Sequence, residues 1–124
     1  MGNFPRVRAI YTTNGEVGAL LVYPYLYNFL GEWIGWVTPE REVYSVLGVY
    51  VGYLTDDPRI IRKRYADTKP RRAPIKPPAG FYPPATIPLA PMMPELSYDS
   101  IDVLMENPEE LHTLDAGELK EDMD

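Results

Sequence analysis

The densest set of chemically capable side chains in this 124-residue sequence is basic. Arg59, Arg62, Lys63, Arg64, Lys69, Arg71, Arg72 and Lys76 are opposed within their run by Asp67 alone. Cations at this density can neutralise the phosphates of nucleic acid, anionic lipid heads or an acidic protein, and charge by itself does not choose among these. The chain's own acidic C-terminal tail is a competitor that can screen the block within or between subunits. Tyr65 is the only aromatic residue in the run. With no helix-turn-helix, zinc-finger pattern or paired stacking aromatics, sequence-specific readout lacks its usual parts. Carboxylates supply less. Asp99 with Asp102, and Asp122 with Asp124, are nominal pairs, but acid–base work needs a rigid cleft that drives two pKa values apart, which a charged tail does not provide. Neither pair carries the glycine and terminal glutamate of a calcium loop. His112, the single histidine, lies among Glu109, Glu110 and Asp115. With no cysteine there is no disulfide, thiolate metal site or cysteine nucleophile. Walker, dinucleotide and Gly-x-Ser-x-Gly patterns are missing as well. The expectation is a non-enzymatic protein with no metal or cofactor.

The elements that would position these groups are set by segregated charge. Residues 1–58 carry three basic residues (Arg6, Arg8, Arg41) against six acidic ones. Residues 59–76 carry a net +7, residues 77–94 are uncharged, and residues 95–124 carry eleven acidic residues against Lys120, within an overall charge of -6. Blocks of like charge repel themselves and read as arms or tails, so the core must come mainly from the first sixty residues. A core that small is marginal alone and invites help from a partner or from the chain's own C-terminal arm. Residues 1–13 have no apolar run of a secretory signal, being broken by Pro5, Arg6 and Arg8. The expected address is cytoplasmic, with a place at the periphery of a membrane complex left open. Residues 17–37 are apolar with a Gly31-x-x-x-Gly35 spacing, but Pro24, Glu32 and the abundance of aromatic and β-branched residues favour strands over a membrane helix.

Three segments, residues 10–20, 26–36 and 43–53, superpose without gaps on the pattern aliphatic-Tyr-x-x-x-Gly-x-x-x-small-x. Its tyrosines are Tyr11, Tyr27 and Tyr44, its first glycines Gly15, Gly31 and Gly48, and its small residues Ala19, Gly35 and Gly52. A spacing of 16 or 17 residues suits one hairpin per repeat. Asn14-Gly15 predicts a two-residue type I′ turn, which sets Ile10 opposite Ala19 and Tyr11 opposite Gly18. Leu30-Gly31 and Leu47-Gly48 keep only the glycine and equally suit a longer loop with Gly in the left-handed region. A fourth unit begins at Arg59-Ile60-Ile61-Arg62, but Tyr65 and Lys69 replace its glycines, so a strand is expected there without its hairpin. Pro24, Pro39 and Pro58 punctuate the units.

The successive units "IYTTNGEVGALL", "LYNFLGEWIGWV" and "VYSVLGVYVGYL", followed by a strand and a proline-rich tail, resemble the bacterial four-fold β flower proteins. The resemblance covers about residues 9–64. It implies an all-β domain, a small pseudo-fourfold repeat of β-hairpins, and carries no settled biochemical role.

In either turn register both faces of the hairpins are largely apolar, so each needs cover from neighbouring hairpins, the proline-rich arm or another protein. Core packing is the first reading of Trp33, Trp36, Tyr50 and Tyr53, with a partner-facing role second, since aromatic residues serve interfaces nearly as readily as interiors. Residues 70–94 hold nine prolines and predict an extended strap. Within it, residues 71–77 match the Arg-x-x-Pro-x-x-Pro form of an SH3 ligand, against the plainer reading of a semi-rigid spacer. Phe81, Tyr82, Ile87, Leu89, Met92 and Met93 argue that the strap packs on the β domain or on a partner. From Ser97, the spacing of Ile101, Leu104 and Met105 predicts a short amphipathic helix ended by Pro108. The organisation is thus a β-hairpin repeat domain at 1–66, a basic and proline-rich extended arm at 67–94, and an acidic tail with a short helix at 95–124. The expected function is that of an assembly module or accessory subunit. It would bind a protein partner or larger complex through Trp33, Trp36, Tyr50, Tyr53, Phe81, Tyr82, Ile101, Leu104 and Met105, with a homo-oligomer also open. The alternative is an anion-binding accessory protein using residues 59–76 on nucleic acid or an anionic membrane.

Overall fold

A computed structural model describes residues 6–65 and 68–114. Its fold is all-β: eight antiparallel strands form one curled sheet in strict sequence order. They are β1 Arg8–Tyr11, β2 Val17–Val22, β3 Tyr25–Tyr27, β4 Trp33–Val37, β5 Glu42–Ser45, β6 Tyr50–Leu54, β7 Ile60–Lys63 and β8 Ser100–Asp102. A one-turn helix α1, Val103–Glu106, and a 3-10 turn, Pro108–Glu110, follow.

The first three hairpins are the three sequence repeats. The turn at Asn14-Gly15 differs from the type I′ expectation, whereas those at Gly31 and Gly48 are the longer loop with a left-handed glycine that their sequences equally suited. Gly15 N–H donates to the Thr12 carbonyl at 2.9 Å, and Thr12 N–H donates to the Glu16 carbonyl at 2.7 Å. Only Gly15 takes the left-handed conformation, at φ 87°. The result is a three-residue loop with a bulge, which sets Tyr11 opposite Val17 while Ile10 stays opposite Ala19. The same pair of bonds recurs from Asn28 to Glu32 and from Ser45 to Val49. In each turn the first side chain ties the loop: Asn28 Oδ1 accepts from the Leu30 and Glu32 amides, and Ser45 Oγ from those of Leu47 and Val49. Short polar side chains favour such local bonds, which explains Thr12, Asn28 and Ser45 at one repeat position.

The fourth hairpin is not lost. Its first strand, β7, pairs with β8, joining Ile61 to Asp102 and Lys63 to Ser100 across an excursion through the proline-rich segment. The helix expected from Ser97 is therefore shorter than its spacing suggested. Ile101 lies on a strand, and only Val103–Glu106 is helical before Pro108 opens the 3-10 turn. The Ser100 amide donates to the Ser97 carbonyl at 3.0 Å, and pairing with β7 fixes residues 100–102 as a strand where an isolated four-residue helix would be marginal.

One side of the sheet closes on a core. Ile10, Leu26, Val43 and Ile60, the residues before each tyrosine position, are all fully buried. Ile34, Val51, Ile101, Val103 and Leu111 join them. The small residues have a packing reason. A side chain at Gly35 would collide with Leu111 and the Tyr44 backbone, and one at Gly52 with the Ile61 backbone. The first and last hairpins meet where Tyr11 N–H donates to the Pro58 carbonyl at 3.0 Å. There Asp102 Oδ2 also accepts from the Thr13 amide and hydroxyl, each at 2.7 Å, and Arg59 donates to the same hydroxyl.

Candidate interaction surface

The other side of the sheet carries the repeat tyrosines, and the strap covers it. At hairpin three, Arg72 N–H donates to the Gly48 carbonyl at 2.9 Å, and the Arg72 guanidinium sits 5.2 Å from the Tyr44 ring. At hairpin two, Phe81 stacks on Tyr27 with 4.4 Å between centroids, and its carbonyl crowds Gly31. At hairpin one, the Tyr11 hydroxyl donates to the Pro88 carbonyl at 2.7 Å, and Ala90 lies over Gly15. At hairpin four, Asp99 accepts from the Arg64 amide. Residues 72, 81, 90 and 99 thus dock at intervals of nine, a span of about 28 Å of polyproline II. The strap visits hairpins three, two and one in turn before returning as β8.

This packing decides where the candidate interface residues stand. Trp36, Tyr50 and Ile101 are buried, and Trp33, Phe81 and Leu104 are half-buried. Trp36 stacks on Tyr44 in a side cluster that includes Tyr50, Trp33 and Ile75. Tyr53, Met105 and Tyr82 are exposed. Facing outward along the strap are Tyr82, Leu89, Met92 and Tyr98, at 94, 95, 100 and 90 % exposure. The tip of hairpin two adds Phe29 and Leu30. Leu89 and Met92 read from the sequence as residues that pack on the domain or on a partner, without a choice between the two, because nothing in a proline-rich run tells which residues face inward. Tyr98 was not singled out.

The basic block is distributed around the fold. Arg59 is 3 % exposed and pairs with Asp57 at 2.6 Å. Burial pushes the Asp57 carboxyl up, but hydrogen bonds from Arg59 and Thr55, with the guanidinium charge, outweigh it and hold it below the ordinary carboxylate range. Arg62 pairs with Glu110 at 2.6 Å and Arg64 with Glu106 at 3.7 Å, both on the C-terminal segment. Lys69 and Arg72 share Glu42 at 3.2 and 3.5 Å. Lys63, Arg71 and Lys76 are exposed. Burial, and then the hydrogen bond from Tyr44 to Glu42, raise the Tyr44 phenol above its usual value against the opposing pull of Arg72.

The nominal carboxylate pair is split. Asp102 is buried with Oδ1 unpartnered among the described residues, whereas Asp99 is exposed and bonded to Ser97. Residues 118–124, with Asp122 and Asp124, lie outside the described residues. His112 Nδ1 lies 2.9 Å from the Thr113 carbonyl. Among the described residues no group of three His, Cys, Asp or Glu could hold a metal ion, and no helix is long and apolar enough to cross a membrane.

A second feature had no sequence signal. A cavity of about 420 Å³ opens where β2, β4 and β6 end, floored by Leu21, Val37 and Leu54 and lined by Arg6, Arg8 and Arg41. Comparison with protein families, curated proteins and solved structures finds no match to this chain.

Proposed function

We propose that this protein is a non-enzymatic assembly module that binds a protein partner through the outward edge of its strap. The observation that carries this reading is the set Tyr82, Leu89, Met92 and Tyr98, four large apolar side chains that are each at least 90 % exposed. Folding leaves them in water at full hydrophobic cost, and side chains of this kind recover that cost in a partner's groove. The strap is held at its inner side by Tyr11, Tyr27 and Tyr44, so it offers the outer residues with little conformational entropy left to lose. The alternative, anion binding by residues 59–76, has less support. Arg59, Arg62, Arg64, Lys69 and Arg72 already carry internal ion pairs.

The test is a nuclease-treated native pull-down of the full chain beside the variant Tyr82→Ser, Leu89→Ser, Met92→Ser, Tyr98→Ser, at low and high salt, with light scattering on both. The expected result is a stoichiometric partner, or a second copy, that survives high salt with the parent and is lost with the variant. Retention of the same partner by the folded variant, or recovery of nucleic acid or lipid alone, would overturn the reading.

A further inference from the structure

The cavity at the strand ends is independent of the strap. Its floor is built from one repeat position: Leu21, Val37 and Leu54 follow the small residue of each unit by two places, and all three are buried members of the main core. Its wall comes from elements far apart in sequence. Arg6 and Arg8 lie at the start of the chain's edge strand, with Arg8 opposite Leu21. Arg41 lies on the turn between β4 and β5, and Tyr23 lines the cavity from the turn between β2 and β3.

Arg41 is fixed. Its Nε donates to the Leu54 carbonyl at 2.8 Å and its Nη2 to the Thr55 carbonyl at 2.9 Å. It also occupies the left-handed conformation, at φ 68°, in a turn whose bonds copy those that Gly15, Gly31 and Gly48 close elsewhere. Glycine would suit that backbone without strain. The nearest carboxylate, Asp56, is 3.3 Å from Arg41 and 99 % exposed, so solvent screens it. Arg6 and Arg8 have no acidic partner among the described residues. In a protein of net charge -6, three arginines thus line one cavity whose floor is aliphatic.

From this geometry we propose that the cavity binds a small organic carboxylate, its apolar body on Leu21, Val37 and Leu54 and its carboxylate held by Arg6, Arg8 and Arg41. The volume falls in the lower part of the range of small-molecule sites. Guanidinium groups match a carboxylate in bidentate fashion. The aliphatic floor favours a ligand with an apolar body over a bare inorganic anion, whose shell of water that floor would strip without return. A free acid and the C-terminal carboxylate of a peptide present the same chemistry.

The probe is 4-phenylbutyrate, titrated into the full-length protein and followed by the methyl resonances of Leu21, Val37 and Leu54. Its amide, a peptide ending in phenylalanine and inorganic phosphate serve as the other arms. The expected result is a saturable shift of these three methyl groups below about 10 mM ligand, weakened at least about tenfold in the amide. Arg6→Gln with Arg8→Gln should weaken binding by a similar factor without moving the thermal midpoint, since among the described residues neither side chain has a partner to lose. Tighter binding of the peptide than of the free acid would assign the carboxylate to a chain terminus, and the reverse to a metabolite. No shift, equal binding of the amide, equal binding by the folded variant, or tighter binding of phosphate than of the carboxylate would each overturn the proposal. If the variant does not fold, the comparison of acid with amide in the parent decides.

Discussion

Replacing the three turn glycines by alanine separates the strap's contribution from that of the turns. All three have positive φ, at 87° for Gly15, 79° for Gly31 and 84° for Gly48, so each alanine bears left-handed strain of about 1–2 kcal/mol. They differ in what the new methyl group meets. At Gly15 the nearest atom is the Ala90 Cβ at 4.0 Å, an ordinary contact. At Gly48 the methyl would press on the Arg72 carbonyl oxygen, and at Gly31 on that of Phe81, both closer than the 3.0 Å that real Cβ atoms respect. The strap must then lift. At Gly48 that breaks the Arg72 N–H bond, about 0.5–1.5 kcal/mol, and moves the guanidinium off Tyr44, about 0.5–1 kcal/mol. At Gly31 it disturbs the Phe81–Tyr27 stack, about 0.5–1.5 kcal/mol. Gly48→Ala should therefore cost about 1–2.5 kcal/mol more than Gly15→Ala, with Gly31→Ala between them. Urea unfolding of the three full-length variants measures this directly, since shared turn strain cancels in the difference. Costs within about 0.5 kcal/mol of one another would refute the packing of the strap on its own hairpins.

Ending the chain after Pro94 removes β8 together with buried Ile101, Val103 and Leu111; at about 2–5 kcal/mol for each buried side chain lost, that exceeds the stability of most small domains. The truncated chain should show no cooperative melt by circular dichroism, and a two-state melt near the parent's midpoint would contradict the role of β8. Asp57 titrates lower in the fold than in the unfolded chain, so its contribution is present above the ordinary carboxylate value and is lost as pH falls through the depressed one. Asp57→Asn should flatten the decline of the urea midpoint below about pH 4, and an unchanged slope would argue against the Arg59 pair. Tyr44 has the opposite sign. Its raised phenol contributes stability below about pH 10 that disappears as pH rises through the folded value. Tyr44→Phe should soften alkaline unfolding, and a curve parallel to the parent's would speak against it.

Three hairpins were legible because each repeat states its own turn: a tyrosine, a glycine four residues on, and a small residue four beyond that. A further signal stood unread in Thr12, Asn28 and Ser45, whose side chains close those turns and mark a three-residue loop rather than a type I′ turn. The fourth hairpin was illegible for a physical reason. Its two strands are far apart in the chain, β8 has only three residues, and Ile101, Leu104 and Met105 imitate a helical stripe. No local rule pairs such a strand, because its register is set by the strap's docking on hairpins three, two and one. Screening of the basic block by the acidic tail was legible from the two charge blocks, but the particular pairs with Glu106 and Glu110, and the part played by Glu42, arrive only through folding. Arg6, Arg8 and Arg41 were counted for charge alone, their meeting place being a product of strand ends and turns.

The most direct test of the assembly reading is photo-crosslinking in cells from a benzophenone side chain placed at Leu89 or Met92, with Ala19 in the core as the control position. The account predicts a discrete crosslinked protein, or a crosslinked second copy, from positions 89 and 92 and none from position 19. Crosslinks from 89 and 92 that are solely intramolecular, or that join only nucleic acid or lipid, would contradict it.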